Sequence, residues 1–219
     1  MLTRAFRLTT SLIRDMRLLV YLTAPHAALI VNAYCLQGGF AMPYSILRLN
    51  QALSPLLPRA QQPFDIIGRL IPTYDGHGWQ LSEQLLSIPY QKTYPVEAFD
   101  PAQYLNSSTR AAFVAMLGEE CVGSIRVSAR WNRNAFIEDI AVNRAHRGRG
   151  IGTALMDAAT LWGRESALHG ACLETQDNNL LACRFYLKYG FKLGSIDTML
   201  YDAFPQTQAE KALFFYLLP

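Results

Sequence analysis

A glycine-rich segment between a strand pattern and a helix pattern constrains the fold of this chain more than any other feature. The segment runs from His146 to Gly152 and reads HRGRGIG. It follows the largely apolar run Asn134–Val142 and precedes residues 152–166, where apolar side chains recur at helical spacing. Glycines let the backbone come close to a ligand, and the first N–H groups of a helix have no partner within it. The pattern predicts a strand, a turn and a helix whose N-terminus can hold an anion.

Taken alone, this segment fits three kinds of ligand. A phosphate group suits a glycine turn at a helix N-terminus. A dinucleotide fingerprint requires G-x-G-x-x-G, but Thr153 stands where the last glycine is needed, although Glu174 lies where a ribose-binding acid would. Arg147 and Arg149 suit a nucleic acid, and the acidic residues at 138 and 139 oppose it. The rest of the chain decides which of these three ligands the segment binds.

The distribution of charge argues against a nucleic-acid-binding protein. The chain has 219 residues, 51% of them hydrophobic, which indicates a globular protein with one substantial core. Its formal net charge is +3, and residues 1–41 contain four arginines against one aspartate. Residues 42–219 therefore carry no net charge, whereas a nucleic-acid-binding surface is usually strongly basic.

The cysteines and histidines show no spacing typical of a metal site. The four cysteines lie mostly in apolar runs without a C-x-x-C motif, and the four histidines are isolated. We therefore predict no metal, buried free thiols and a reducing, cytoplasmic location. The residues concerned are Cys35, Cys121, Cys172, Cys183, His26, His77, His146 and His169.

The first 41 residues differ from the rest of the chain. Arginines come first, and a largely uncharged run extends from Leu18 to about Met42. A targeting segment, a membrane anchor and a translation start at Met42 are all compatible with this pattern, although Pro25 and Gly38-Gly39 interrupt it. We divide the chain into an extension of doubtful function, 1–41, and a globular domain, 42–219, that begins with a short helix or loop over 42–59.

From Pro63 onward the pattern predicts one mixed α/β domain. Two helices are expected, at 152–166 and within 178–190, and the segment 96–110 is expected to be a loop. Strands are expected at 64–72, 111–117, 121–130, 134–142 and 170–176, with closing strands over 191–204 and 211–219.

Two motifs in this domain resemble the GCN5-related N-acetyltransferases (GNAT). The first is Arg147-x-x-Gly150-x-Gly152, and the second begins at Asn179 and continues as Ala182, Tyr186 and Gly190-Phe191. The resemblance implies the GNAT fold: an α/β structure with a mixed, mostly antiparallel central sheet that is splayed at the cofactor site and flanked by helices. It also implies acetyl-CoA as the co-substrate.

Longer segments are similar to streptothricin acetyltransferases. They include IEDIAV (137–142), LETQDNNLLACRFYLKYGF (173–191) and DTMLYDAF (197–204), and the resemblance covers most of Pro63–Pro219. The loop around 97–110 is its least similar part. The resemblance implies direct transfer of an acetyl group from acetyl-CoA to a primary amine of streptothricin, which inactivates the antibiotic. Another small amine as acceptor, or a non-catalytic acetyl-CoA-binding module, is the alternative.

The resemblance also implies which residues hold acetyl-CoA. The pyrophosphate is expected on the glycine segment, and the pantetheine arm beside the preceding strand, where backbone N–H groups can also polarise the acetyl carbonyl. Asn179 is expected both to cap its helix and to contact the cofactor. The full set is Ile140, Ala141, Val142, Arg147, Gly148, Arg149, Gly150, Ile151, Gly152, Thr153 and Asn179.

For catalysis the family pattern implies Glu138 as the general base and Tyr186 as the acid that protonates the leaving thiolate. Asp139 is the alternative base. Because side chains alternate along a strand, we expect the two acids to point to opposite faces of the sheet. No histidine accompanies Cys172 or Cys183 in sequence, so we reject a covalent acyl-enzyme.

The acceptor is expected to be a small cationic amine, and carboxylates and aromatic rings are the groups that would bind it. For each candidate, a position in the core, a cap or a solvated face is an equal alternative. The candidates are Trp131, Asp139, Glu174, Asp177, Asp197 and Tyr201. We expect no nucleic-acid or membrane partner for this domain, and the sequence leaves a homodimer open.

Overall fold

The computed structural model describes residues 16–21, 30–37, 40–60, 63–94 and 100–219. Eleven strands and two α-helices lie within these residues. The helices are α1 (Ile151–Glu165) and α2 (Leu180–Tyr189). The strands are β1 (Met16–Tyr21), β2 (Ile30–Gln37), β3 (Phe40–Arg48), β4 (Phe64–Tyr74), β5 (Trp79–Lys92), β6 (Arg110–Leu117), β7 (Glu120–Ala129), β8 (Asn134–Val142), β9 (Gly170–Gln176), β10 (Lys192–Asp197) and β11 (Ala212–Leu217).

Most of these strands form one mixed sheet. Among the described residues it has nine strands in the order β1-β2-β3-β6-β7-β8-β9-β11-β10. The β8–β9 pair is parallel and the other pairs are antiparallel. A parallel pair needs a crossover connection, which α1 provides. The predicted α/β fold with a mostly antiparallel sheet is therefore confirmed.

Two cores lie on opposite faces of this sheet. The main core lies under α1 and contains fully buried side chains such as Phe113, Ile125 and Leu155. The small core, on the other face, contains Leu49, Leu57, Tyr104, Ala112, Val114, Met116 and Cys121. Successive residues of β6 alternate between the two cores, as expected of a strand buried on both faces.

The hairpin β4–β5 forms a separate two-stranded sheet. Its strand β4 lies beside the start of α2, because Leu70 N donates to Asp177 O at 2.9 Å. Four ion pairs join the hairpin to other parts of the chain: Arg69 with Asp177, Arg184 with Glu83, Arg144 with Asp65, and Lys92 with Glu210. The hairpin therefore spans from α2 to the segment that follows β8.

The elements around the glycine segment lie where the sequence predicted them. Strands β8 and β9 have the predicted bounds, and α1 begins one residue earlier than expected. The predicted loop over 96–110 contains a short 3₁₀ helix, Pro101–Tyr104, among its described residues.

Two expectations about secondary structure were wrong. Residues 42–59 do not begin with a helix or loop: β3 extends to Arg48, where Tyr44 and Ile46 enter the main core and β6 provides the pairing. The closing strand β10 ends at Asp197 instead of continuing to residue 204. The Asp197 carboxylate accepts from the N–H groups of Met199 and Leu200, which turns the chain.

The boundary proposed between residues 41 and 42 falls within β3. Strand β2 pairs with β3, and β1 pairs with β2 at the edge of the sheet. Residues 1–15, 22–29 and 38–39 lie outside the described residues, and the doubtful function of the segment 1–41 stays a prediction. No helix in the described part of the chain is both long and apolar enough to cross a membrane.

Replacing Leu155 with alanine should destabilise the fold, because its side chain is fully buried between α1 and the sheet. We expect a loss of about 2–5 kcal/mol in the free energy of unfolding. Leu181→Ala is the matched control on α2, where the side chain is 42% exposed, and it should cost less than about 1 kcal/mol. Urea denaturation followed by circular dichroism measures both, and equal losses would contradict the assignment of the main core.

Candidate active site

The central feature of the site is the point at which β8 and β9 separate. The parallel pairing begins at Asn134 and Gly170 and ends at Ile137 and Leu173. Beyond that pair, β8 continues to Val142 along β7 only, so its edge toward β9 is open. The predicted splay is therefore present, and Ile140, Ala141 and Val142 lie along the open edge. Unpaired backbone groups at a strand edge can bind an extended ligand as an added strand.

A β-bulge lies at the separation. Arg126 of β7 pairs with Asp139, and the next residue, Val127, pairs with Ile137, so Glu138 is the extra residue on β8. Such a bulge changes the alternation of side chains, and bulges are common beside active sites.

The bulge corrects the expectation that Glu138 and Asp139 point to opposite faces. Ile137 and Ile140 both pack in the main core although they are three residues apart. The two acids between them therefore turn toward the opposite face, which carries the small core. Their partners differ: Tyr104 Oη donates to Glu138 Oε2, and Arg126 Nε lies 3.8 Å from Asp139 Oδ2.

The glycine turn after β8 has the backbone that the sequence predicted. Gly148 and Gly150 have φ values of 75° and 80°, in the left-handed region that favours glycine. Gly150 is the N-cap of α1 and provides no side-chain hydrogen bond, and the first turn of the helix has no acidic residue. The N–H groups of Ile151 to Thr153 are therefore available to an anion, and the helix dipole adds partial positive charge there.

Arginines around the turn add to this positive charge. Arg147 Nε donates to Val142 O at 3.0 Å, which folds its side chain back on the end of β8. Burial, together with the nearby charge of Arg144, lowers the pKa of Arg147, but a guanidinium remains protonated near neutral pH. Arg149 is exposed. The turn thus combines free N–H groups with cationic side chains, as a pyrophosphate site requires.

Tyr186 lies on α2 in an aromatic cluster and is 7% exposed. Its ring centroid is 5.5 Å from that of Phe185, 6.0 Å from Phe191 and 6.1 Å from Phe215. Burial raises its pKa, and the charges of Cys183, Asp139 and Glu174 add to the shift. The phenol therefore keeps its proton at neutral pH.

Asn179 caps α2 as predicted, since its Oδ1 accepts from Ala182 N at 3.4 Å.

Glu174 lies on β9 just beyond the separation. Ala171 and Leu173 pack in the main core, so Glu174 faces the opposite side, as do Glu138 and Asp139. Tyr201, in the turn after β10, donates to Glu174 Oε1. Burial raises the pKa of Glu174. Among the described residues, no Lys, Arg or His forms an ion pair with it.

The other predicted substrate residues are not gathered at this point. Trp131 lies in the turn before β8, at the opposite end of that strand from the glycine turn, and is 94% exposed. Asp177 is buried, pairs with Arg69 at 2.9 Å and accepts from Lys211 N, so its carboxylate already has partners. Asp197 holds the turn after β10.

Sequence reasoning missed Tyr104, whose hydroxyl bonds to Glu138. It also missed Glu210, which is buried and bonds to Lys92 and to Tyr94 Oη. Both lie in or beside segments rich in polar and turn residues, which show no periodicity. An aromatic residue within a polar loop was the only signal for Tyr104.

The cysteines give no support to a covalent intermediate. Burial raises the pKa of the Cys172 thiol to about 11 and that of Cys183 to about 12. Since the thiolate is the nucleophile, both are unreactive near neutral pH. No cluster of three or more His, Cys, Asp or Glu side chains suited to a metal was found among the described residues.

The site consists of a strand that separates from its neighbour, a glycine turn and a helix N-terminus, which together suit an acyl-CoA. Comparison with known proteins supports this assignment. Residues 79–191 match the model of the acetyltransferase (GNAT) family. The chain belongs to this family and is an acetyl-CoA-dependent N-acetyltransferase. The fold and the co-substrate implied by the sequence are therefore confirmed.

Individual proteins similar to this chain give a more specific comparison than the family model. The chain is 42% identical to streptothricin acetyltransferase A of Bacillus subtilis over 158 residues, which cover 72% of this chain and 90% of that protein. It is 38% identical to a streptothricin acetyltransferase of Escherichia coli, over 64% of this chain and 76% of that protein. A crystal structure from Bacillus anthracis, described as a streptothricin acetyltransferase in complex with acetyl coenzyme A, superimposes with a TM-score of 0.73 at 30% identity. It covers 81% of this chain and 98% of that one.

Replacing Gly150 with alanine should weaken acetyl-CoA binding about tenfold, because a Cβ strains the left-handed backbone that presents the first N–H groups of α1. Gly118→Ala is the matched control, since Gly118 also has a positive φ, 59°, but lies in the turn between β6 and β7. Isothermal titration calorimetry measures the dissociation constant of both variants. Equal weakening in the two would mean that the effect comes from lost stability and not from the glycine turn.

Proposed function

We propose that this enzyme transfers the acetyl group of acetyl-CoA directly to a primary amine of streptothricin. The observation that carries the proposal is the group of carboxylates on one face of the sheet, Glu138, Asp139 and Glu174, at the point where β8 and β9 separate. A cationic acceptor requires such a face. The relatives named as streptothricin acetyltransferases, in B. subtilis and E. coli, support the choice of acceptor.

The glycine turn and α1 would hold the pyrophosphate. The N–H groups of Ile151, Gly152 and Thr153 and the guanidinium of Arg147 are the donors, and a charge-assisted bond contributes roughly 1.5–3 kcal/mol. The open edge of β8 at Ile140–Val142 would bind the pantetheine arm, and a backbone N–H of this edge would polarise the thioester carbonyl.

Glu138 would act as the general base. An amine of the lysine type has a pKa of about 10.4 and is almost entirely protonated at neutral pH, so its proton must leave before the nitrogen can attack the carbonyl carbon. The Glu138 carboxyl group lies on the acceptor face without an ion-pair partner among the described residues. Asp139, in contrast, forms an ion pair with Arg126, whose Nε lies 3.8 Å from its Oδ2.

Tyr186 would complete the transfer. When the C–S bond breaks, the sulfur leaves with the electron pair, and the phenol donates its proton to it. Tyr186 suits this step because burial keeps the phenol protonated and because its hydroxyl has no hydrogen-bond partner among the described residues.

Glu174 would bind a second cationic group of the acceptor. It is a half-buried carboxylate at the separation, and its partner is a neutral hydroxyl, that of Tyr201. We also place the enzyme in the cytoplasm, where its free cysteines stay reduced and acetyl-CoA is made available.

Incubation of the protein with streptothricin and acetyl-CoA should add one acetyl group to the antibiotic, and Tyr186→Phe should lower kcat about 10²-fold. The dissociation constant of acetyl-CoA should not change, because the ring remains. Mass spectrometry measures the product and calorimetry the binding.

Tyr189→Phe is the control for this variant, one turn further along α2, where the hydroxyl bonds to Asp157. It should retain kcat. If the mass of streptothricin does not change and a polyamine or aminoglycoside is acetylated instead, the acceptor is another amine. If acetyl-CoA binds and no product forms with any amine, the protein is a binding module.

Glu174→Gln should raise the KM for the acceptor about tenfold and leave the KM for acetyl-CoA unchanged, because a charge is lost only from the acceptor face. In the unmodified enzyme the acceptor KM should rise as the pH falls. The raised pKa of Glu174 means that its carboxylate becomes neutral at a higher pH than an exposed glutamate would.

The variant Glu174→Gln should lack this part of the pH dependence in steady-state kinetics. Glu119→Gln, in the exposed turn after β6, is the control and should behave as the unmodified enzyme does. The same acid-side rise in both variants would exclude Glu174 as its source.

A further inference from the structure

The ring of Tyr104 is packed in the small core, and its hydroxyl reaches the site. It ends the short 3₁₀ helix Pro101–Tyr104, which Asp100 caps by accepting from Ala102 N at 2.9 Å. The residue is 3% exposed, and its ring packs in the small core with residues such as Leu57 and Val114. A ring fixed on all sides leaves the position of the hydroxyl well defined.

The hydroxyl is directed at the β-bulge. It donates to Glu138 Oε2 and also interacts with Arg126, the cross-strand partner of Asp139. Burial, followed by the effect of Glu138, raises the pKa of Tyr104, so the phenol stays protonated and remains a donor. No other described residue forms a hydrogen bond with the Glu138 carboxylate.

The hydrogen bond from Tyr104 holds a side chain that the bulge leaves without a cross-strand neighbour. Glu138 is the extra residue of the bulge, so no residue of β7 lies opposite it to fix its side chain. A glutamate has several rotatable bonds, and holding it in one conformation costs entropy. With Oε2 bound by Tyr104, the second oxygen, Oε1, is left to accept a proton.

We propose that Tyr104 is a positioning residue that orients Glu138 for its role as base. This inference rests on the proposed function, since it acts only through Glu138. It assigns a role to the loop 100–109, which comes to the site from the small-core face. In this role the hydroxyl acts only through its hydrogen bond to Glu138.

The test is a double-mutant cycle with Tyr104→Phe and Glu138→Gln, read out as kcat and as both KM values. Tyr104→Phe keeps the packed ring and should lower kcat about tenfold with the acetyl-CoA KM unchanged. Glu138→Gln should lower kcat about 10²-fold or more. In the double variant, kcat should equal that of Glu138→Gln, because removing a group that acts through Glu138 has no further effect once the base is gone.

Each outcome has a definite meaning. Multiplicative losses in the double variant, or an unchanged kcat for Tyr104→Phe, would overturn the role of Tyr104 while leaving Glu138 as base. An unchanged kcat for Glu138→Gln would overturn the assignment of the base and this inference with it, whereas acetylation of streptothricin by the unmodified enzyme would still support the proposed acceptor.

Two further variants separate positioning from simple stability. Tyr189→Phe also removes a hydroxyl-to-carboxylate bond, to Asp157, but away from Glu138, and should leave kcat unchanged. If Tyr104→Phe does not fold, Asp100→Ala loosens the same 3₁₀ helix without altering Tyr104. It should lower kcat severalfold alone and not at all in the Glu138→Gln background; a loss in both backgrounds would overturn the proposal.

Discussion

The site depends on where the parallel pairing of β8 and β9 stops. Four residue pairs join the two strands, the last of them Ile137 with Leu173, and beyond it each strand keeps its other neighbour. A sheet that remained paired would have no open edge for a co-substrate and no gap for an amine. The bulge at Glu138 occurs at the same level and turns the two acids of β8 to one face. Backbone register therefore creates both the gap between the strands and its charge.

The two sides of this gap carry opposite charges. The glycine turn, Arg147 and the N-terminus of α1 concentrate positive charge, which suits a diphosphate. The face with Glu138, Asp139 and Glu174 concentrates negative charge, which suits a cationic amine. Under the proposed function, opposite fields on the two sides would orient the substrates so that thioester and amine meet at the end of the paired segment.

Local patterns in the sequence predicted the elements that build the cofactor side. The strand before the glycine turn, α1, β9 and the Asn179 cap were all confirmed, because alternation, helical spacing and capping act over a few residues. The bulge could not be predicted, since it is a property of the register between β7 and β8. The roles of Asp177 and Tyr104 depend on partners far away in the sequence, Arg69 and Glu138, which no local pattern identifies.

The attachment of the β4–β5 hairpin has a consequence for how the enzyme responds to its solvent. Ion pairs fix it to α2 and to the segment after β8, and two of them, Arg144 with Asp65 and Arg184 with Glu83, are partly exposed, at 50% and 32%, and at 43% and 36%. The distance over which dissolved ions screen exposed charges shortens from about 10 Å at 0.1 M ionic strength to about 3 Å at 1 M, so concentrated salt weakens such contacts. High salt therefore weakens these two attachments, while the better buried pairs of Arg69 with Asp177 and of Lys92 with Glu210 keep the hairpin in place.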